Sequence, residues 1–131
     1  MISFFMLMIP PTVTFQDKQI NWKNKVIYDS AEVKTAKQKL EAHLAKHRIN
    51  KPLEGPLCLR SIWIYPGEEK DPIPKTTKPD ADNINKLLMD AMTKLKFWKD
   101  DAQIFDLHIQ KYEGTQPGIY IEIDEFSEVQ L

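Results

Sequence analysis

The chain has 131 residues, of which 42% are hydrophobic and 28% charged, and its formal net charge is −1. These values are typical of one globular domain, so we expect a single domain over residues 1–131 with its own hydrophobic core. A single cysteine excludes a disulfide framework and fits a reducing, cytoplasmic setting.

The N-terminal residues MISFFMLMI are apolar but too few to span a membrane, and they run into Pro10-Pro11. We expect a buried strand here and no membrane segment. The next segment, QDKQINWKNKVIY, has polar turn residues at Lys23-Asn24 between two β-prone pieces, which predicts a hairpin or a loose arm. Apolar residues at helical spacing then predict a first helix that ends near Asn50. They are Val33, Ala36, Leu40 and Leu44.

Basic residues are concentrated early in the chain. Residues 16–51 hold nine Lys or Arg and four acids, whereas no basic residue follows Lys111. Such a basic half can meet DNA phosphates. An alternative is a helix whose charged outer surface is simply solvated.

The central part predicts a strand, a loop and a second helix. LCLRSIWIY, residues 57–65, is an apolar run of the length of a central strand. Four prolines in residues 66–79 exclude a helix or a central strand, and a connection of this length is typically functional or mobile. Residues 82–96 then predict a helix with one apolar stripe and, opposite it, a polar face that holds Asp82, Asn83, Lys86 and Asp90.

Two strands complete the predicted fold. Residues 102–112 alternate Phe105, Leu107 and Ile109 with polar residues, which predicts a half-buried strand, and residues 119–124 alternate in the same way. The order of elements predicts an α+β fold, in which two helices pack against a single mixed β-sheet.

Two close pairs of acids flank the second helix, and they are candidates for a metal site. Asp80 and Asp82 precede it, and Asp100 and Asp101 follow it. Each acid alone could be a helix cap or an ion-pair partner. Four carboxylates together repel one another unless a cation lies among them, and Mg²⁺ or Mn²⁺ is the cation that oxygen ligands favour. Lys86 would neutralise a phosphate or assist an attacking water.

The stretch KPDADNINKLLMDAM, with FWKDDAQI after it, closely resembles the RusA family of Holliday-junction resolvases, which are small metal-dependent endonucleases. The family pattern is D-x-D-N-x-x-K, an Asp four residues later, and G-F-W-x-D-D. The segments IPP and PGIYIEI also resemble the family. Two features depart from it: Lys96 replaces the usual glycine, and lysines stand where many members carry arginines after the N-terminal prolines.

The resemblance implies phosphodiester hydrolysis at a four-way DNA junction with Mg²⁺, or Mn²⁺ in its place. It implies that Asp80, Asp82 and Asp101 bind the metal, that Asp100 supports them as a further acidic ligand, and that Lys86 is the catalytic lysine. Asp90 either belongs to the site or only holds Lys86. Two symmetric nicks imply a homodimer. The candidate DNA-binding residues lie in the early basic arm and in the proline-rich loop, and are Lys18, Lys23, Lys25, Lys75 and Lys78.

Geometry adds one expectation. A straight helix over residues 82–96 is about 22 Å long, which would separate Asp82 from Asp101 within one chain. We therefore expect composite metal sites between two subunits, unless the KFWK segment folds back. We also expect Phe97 and Trp98 to anchor the helix end in the core, although they could stack on a DNA base. Rival functions are a nuclease of this fold for other branched DNA and a DNA-binding module without catalysis.

Overall fold

The computed structural model describes residues 1–12, 18–21, 26–29 and 31–127, and in 18–21 and 26–29 only the backbone is described. Its main feature is a five-stranded sheet in the order β1-β7-β4-β6-β5. The strands are β1 (Ile2–Met6), β4 (Leu57–Pro66), β5 (Ile73–Pro74), β6 (Ile104–Gly114) and β7 (Gly118–Glu125). Only β4 and β6 pair in parallel. The sheet is mixed, as predicted.

A separate hairpin and two helices complete the fold. Strands β2 (Lys18–Asn21) and β3 (Val26–Asp29) pair antiparallel, which confirms the predicted hairpin, although its turn residues Lys23-Asn24 lie outside the described residues. Helix α1 is Ala31–Ala45, shorter than the predicted helix, and α2 is Ala81–Lys94. In the part of the chain that the structure describes, no helix is long and apolar enough to cross a membrane.

The core lies between the two helices and one face of the sheet. Alternate residues of β4 point into it, including Leu57, Leu59 and Trp63, whereas the residues between them are only partly buried. The apolar stripes of both helices belong to the same buried cluster. They are Val33, Ala36, Leu40 and Leu44 on α1, and Ile84, Leu87, Leu88, Ala91 and Met92 on α2. The predicted packing of two helices against one β-sheet is confirmed.

Two strands are more exposed than predicted. Strand β1 is an edge strand with alternating burial, not a buried one, and Phe5 is 38% exposed. On β6, Phe105 and Leu107 are 59% and 42% exposed, although their alternation predicted a buried side. Only the two residues of β5 pair with β6 on its outer side, at Tyr112 and Glu113. The first half of β6 therefore lies at the sheet edge, where its side chains meet solvent.

Candidate active site

A buried polar network fixes helix α2 on the central strand. Ser61 of β4 and Asn85 of α2 are 0% and 1% exposed, and the Ser61 hydroxyl donates to Oδ1 of Asn85 at 3.0 Å. The indole Nε1 of Trp63 donates to Ser61 Oγ at 2.9 Å. Because buried polar groups are costly to leave unpaired, this network sets the position of the helix against the strand.

Asp80 lies at the N-cap of α2, but its side chain does not act as a cap. Its backbone is extended (φ −70°, ψ 140°), and among the described contacts its carboxylate makes no cap hydrogen bond. Asp82 follows in the first helical turn and is exposed. The capping explanation therefore fails for Asp80, and both carboxylates face solvent at the start of the helix.

Lys111 of β6 holds the segment that delivers Asp80. Its Nζ donates to the carbonyl oxygens of Thr77 and Pro79, at 2.7 and 2.6 Å. Charge-assisted hydrogen bonds of this kind are the strong ones. Lys111 thus ties the end of the proline-rich loop to the sheet immediately before the first acid.

The chain reverses sharply after α2. Lys96 has a positive φ of 63°, its N–H donates to Thr93 O at 3.0 Å, and the next N–H, of Phe97, donates to Met92 O at 3.1 Å. These bonds form the C-terminal turn that usually contains glycine. Phe97 and Trp98 are both 0% exposed, which confirms that they anchor the helix end in the core.

The segment that follows the reversal, residues 97–103, is hydrogen-bonded to residues 53–55, which precede β4. The N–H of Leu53 donates to Phe97 O at 2.8 Å, and Leu53 forms a parallel bridge with Trp98. The side-chain amide of Gln103 donates to the carbonyl oxygens of Leu53 and Gly55, at 3.1 and 3.0 Å. These contacts direct residues 99–103 back toward α2.

Asp100 caps a short helical turn, and its role as a metal ligand stays a prediction. Its carboxylate oxygen accepts from Ala102 N at 2.9 Å and caps a short 3₁₀ helix (Asp101–Gln103), with Gln103 completing a reciprocal capping box. Such a cap fixes the local backbone. Asp100 therefore orients its neighbour Asp101.

Lys86 lies between two acids. Its Nζ is 3.8 Å from Oδ1 of Asp90 and 3.8 Å from Oδ2 of Asp101. The KFWK segment folds back, so Asp101 lies beside the polar face of α2. The expected separation of Asp82 from Asp101 stays a prediction. The side chains are 46%, 33% and 33% exposed for Lys86, Asp90 and Asp101. Exposed ion pairs are worth only about 0–1 kcal/mol, so these contacts orient Lys86 more than they stabilise the fold.

The predicted metal ligands are not closely clustered in the structure. Among the described residues, Asp80, Asp82 and Asp101 do not have carboxylate oxygens all within 4.8 Å of one another. Their donor set fits Mg²⁺, which takes carboxylate oxygens and retains waters. Repulsion between uncompensated carboxylates favours a spread arrangement, and a cation would draw them together.

The five predicted DNA-binding lysines fall into four groups. Lys23 and Lys25 lie outside the described residues, and Lys18 is in β2 with only its backbone described. Lys78 is exposed. Lys75 makes contacts within the protein: its Nζ donates to Thr77 Oγ1 at 2.8 Å, pairs with Glu113 at 3.4 Å and lies 5.4 Å from the ring centre of Tyr65. Its DNA-binding role stays a prediction. Its contacts are those of a lysine that braces the loop.

The family model described as "Endodeoxyribonuclease RusA" matches residues 9–124. The chain belongs to the RusA family. It is 38% identical over 90 residues to a crossover junction endodeoxyribonuclease of Lactococcus phage r1t. The aligned region covers 66% of this chain and 69% of the relative. The chain is 30% identical over 113 residues to the uncharacterized protein YqaN of Bacillus subtilis, covering 76% and 78%. The match to the Escherichia coli K12 RusA is 41% over 46 residues, covering 35% and 38%. The predicted resemblance is confirmed, and the chain is a nuclease of this family.

Sequence reasoning missed three residues that shape the RusA-family site: Asn85, Ser61 and Lys111. Asn85 occupies the apolar side of α2, and a polar residue within a buried stripe is a signal that sequence carries. Ser61 interrupts the apolar run of β4 in the same way. Lys111 is the last basic residue of the chain, but its target, two carbonyl oxygens in a distant loop, has no sequence signal.

Proposed function

We propose that this chain is a Mg²⁺-dependent endonuclease that cuts four-way DNA junctions by paired, symmetric nicks. The observation that carries the proposal is Lys86, held within 3.8 Å of both Asp90 and Asp101 on the same side of α2 as Asp82. Family membership supports the nuclease activity, and two relatives carry the name crossover junction endodeoxyribonuclease.

The acids at the start of α2 and Asp101 have a different role from Lys86 in the proposed reaction. Asp80, Asp82 and Asp101 are the residues that would hold the ion, which when bound polarises the scissile phosphate and lowers the pKa of a water. Lys86 places a positive charge beside the same phosphate. Its two ion pairs are weak enough to be exchanged for a phosphate oxygen at small cost. Asp90 and the Asp100 cap act indirectly, by positioning Lys86 and Asp101.

Two nicks require two sites, and a homodimer with one site in each chain is part of the proposal. The folded-back segment brings Asp101 to Lys86 of its own chain. That contact favours sites within single chains over the composite sites expected from a straight helix.

The test is cleavage of a synthetic mobile four-way junction with Mg²⁺ or Mn²⁺. We expect paired nicks from the wild type and none from Asp82→Asn. Asp71→Asn, which changes an exposed acid of the preceding loop, is the matched control and should cut normally. Equal cleavage of three-way, flap and linear substrates would indicate the rival nuclease function. A folded wild type without any metal-dependent cleavage of the junction would contradict the proposed metal-dependent activity on this substrate.

DNA contact by the basic arm is a separate part of the proposal. Replacing Lys18, Lys23 and Lys25 together with glutamine should weaken junction binding and flatten its salt dependence, because fewer counterions are released. A control with the same loss of charge replaces Lys34, Lys39 and Lys46, which are exposed on and just after α1. Unchanged junction affinity in the first variant would show that the arm does not contribute to DNA binding.

A further inference from the structure

A second cluster of metal-ligating side chains lies on the face of the sheet opposite the helices. Cys58 on β4 and Asp106 and His108 on β6 each offer one ligand atom, and these atoms all lie within 4.8 Å of one another. We propose that they form a binding site for a thiophilic divalent transition metal, with Zn²⁺ as the model ion. This site is separate from the acids at α2 and does not depend on the proposed nuclease mechanism.

A β-bulge creates the cluster. Leu57 pairs with Ile104, but Cys58 pairs with Asp106, so Phe105 is an extra residue without a partner on β4. A bulge of this kind changes which side chain is directed to a given face of the sheet. Here it sets Asp106 directly beside Cys58. His108, two residues further along β6, shares the face of Asp106 because side chains alternate along a strand.

The donor types decide which metals fit. Thiolate, imidazole and carboxylate together are the ligands of Zn²⁺ and of related transition metals, whereas Mg²⁺ takes oxygen ligands. The acids at α2 are all carboxylates and have the opposite preference. The two sites of one chain should therefore select different ions.

The three side chains of the cluster already lie close to one another. His108 Nε2 lies 3.0 Å from Asp106 Oδ1, and the Cys58 sulfur is within 4.8 Å of a carboxylate oxygen of Asp106. The three side chains are therefore already placed together by the fold. Metal binding would release the thiol proton of Cys58 to solvent. His108 would bind through Nε2 with its ring proton on Nδ1, and the Asp106 carboxylate would remain as a ligand.

Space and charge around the cluster permit an ion. Cys58 and His108 line an open hollow of about 610 Å³ that also includes Asp124, the residue paired with Cys58 on β7. Asp124 is 52% exposed and its carboxylate lies 3.9 Å from the N-terminal amine. A water can supply the fourth ligand of the ion. Arg60 also lines the hollow, but its guanidinium is engaged by Glu122 at 4.0 Å and Gln110 at 3.2 Å.

The test is a Co²⁺ titration of the full chain after treatment with a chelator. We expect one Co²⁺ per chain, with the visible bands of a four-coordinate ion and a thiolate-to-cobalt charge-transfer band. Zn²⁺ should abolish both, and excess Mg²⁺ should change neither. Cys58→Ser should lose the charge-transfer band, and His108→Ala should weaken binding at least about tenfold. Asp82→Asn, altered in the other site, should bind Co²⁺ as the wild type does.

Two results overturn the proposal. One is a folded wild type that shows no thiolate–cobalt band on titration. The other is a band that persists in Cys58→Ser, which would place the ion elsewhere. Circular dichroism of each variant establishes that it is folded, and His108 is exposed, so its replacement provides a second variant that does not disturb the core.

Discussion

The Nζ of Lys86 lies 3.8 Å from Oδ2 of Asp101, although the end of helix α2 and the buried Phe97-Trp98 pair separate them in the sequence. The reversal at Lys96 makes this contact possible. It brings Asp101 beside the polar face of α2 within one chain, and the proposed single-chain site predicts how mixed dimers behave.

The first prediction concerns mixed dimers of Asp82→Asn and Asp101→Asn chains, each inactive alone. If each site is built from the residues of one chain, every site in a mixed dimer lacks either Asp82 or Asp101. Mixing should therefore restore no cleavage. Mixing Asp82→Asn with wild type should instead give dimers with one intact site, which nick one strand. Co-purification of differently tagged chains verifies exchange, and restored nicking in the double-mutant mixture would show that the sites are composite.

The second prediction concerns Lys111→Met. Losing the two bonds to Thr77 and Pro79 should loosen the approach to Asp80. We expect kcat to fall about 10- to 100-fold, because small displacements of catalytic groups have effects of this size. Junction affinity, measured without metal, should change little. Lys70→Met alters an exposed lysine of the same loop and should keep full activity; an equal loss there would mean that the loop acts through its charge.

The third prediction is an energetic coupling between Ser61 and Asn85. Asn85→Ala should lower the free energy of unfolding by about 1–3 kcal/mol, because it leaves a buried hydroxyl without its acceptor. Together with Ser61→Ala the loss should be less than additive, by about 0.5–3 kcal/mol. Urea denaturation of both single variants and the double variant measures it. Asn83→Ala, partly exposed on the same helix, should cost at most about 0.5 kcal/mol, and strict additivity would mean that the two groups act independently.

The fourth prediction concerns the departure from the family at Lys96. A non-glycine residue at φ 63° is strained by about 1–2 kcal/mol, so Lys96→Gly should stabilise the protein by about 1 kcal/mol without changing cleavage. Lys96→Ala removes the same charge but keeps the Cβ atom. It should therefore give no such gain in thermal or urea denaturation. A comparable gain in both variants would attribute the effect to charge instead of backbone strain.

Local patterns in the sequence were sufficient for most of the elements. The stripe on α2 and the apolar run of β4 are buried as their periodicity predicts, since burial against one surface imposes that periodicity. The alternation at Phe105 and Leu107 was misleading. A strand pattern shows two faces but not whether anything covers them, and this strand begins at the edge of the sheet.

Some features of the candidate site could likewise be predicted from the sequence, and others could not. Its residue types, two pairs of acids and one lysine around a helix, are determined by the sequence alone, because the motif is continuous and its chemistry depends on residue identity. Only the tertiary structure decided that Asp101 returns to Lys86, that Asp100 serves as a cap, and that Lys111 fixes the loop before Asp80. It also decided that a bulge sets Asp106 beside Cys58. These relationships depend on the direction of a turn and on strand register, which arise from packing between segments distant in the sequence.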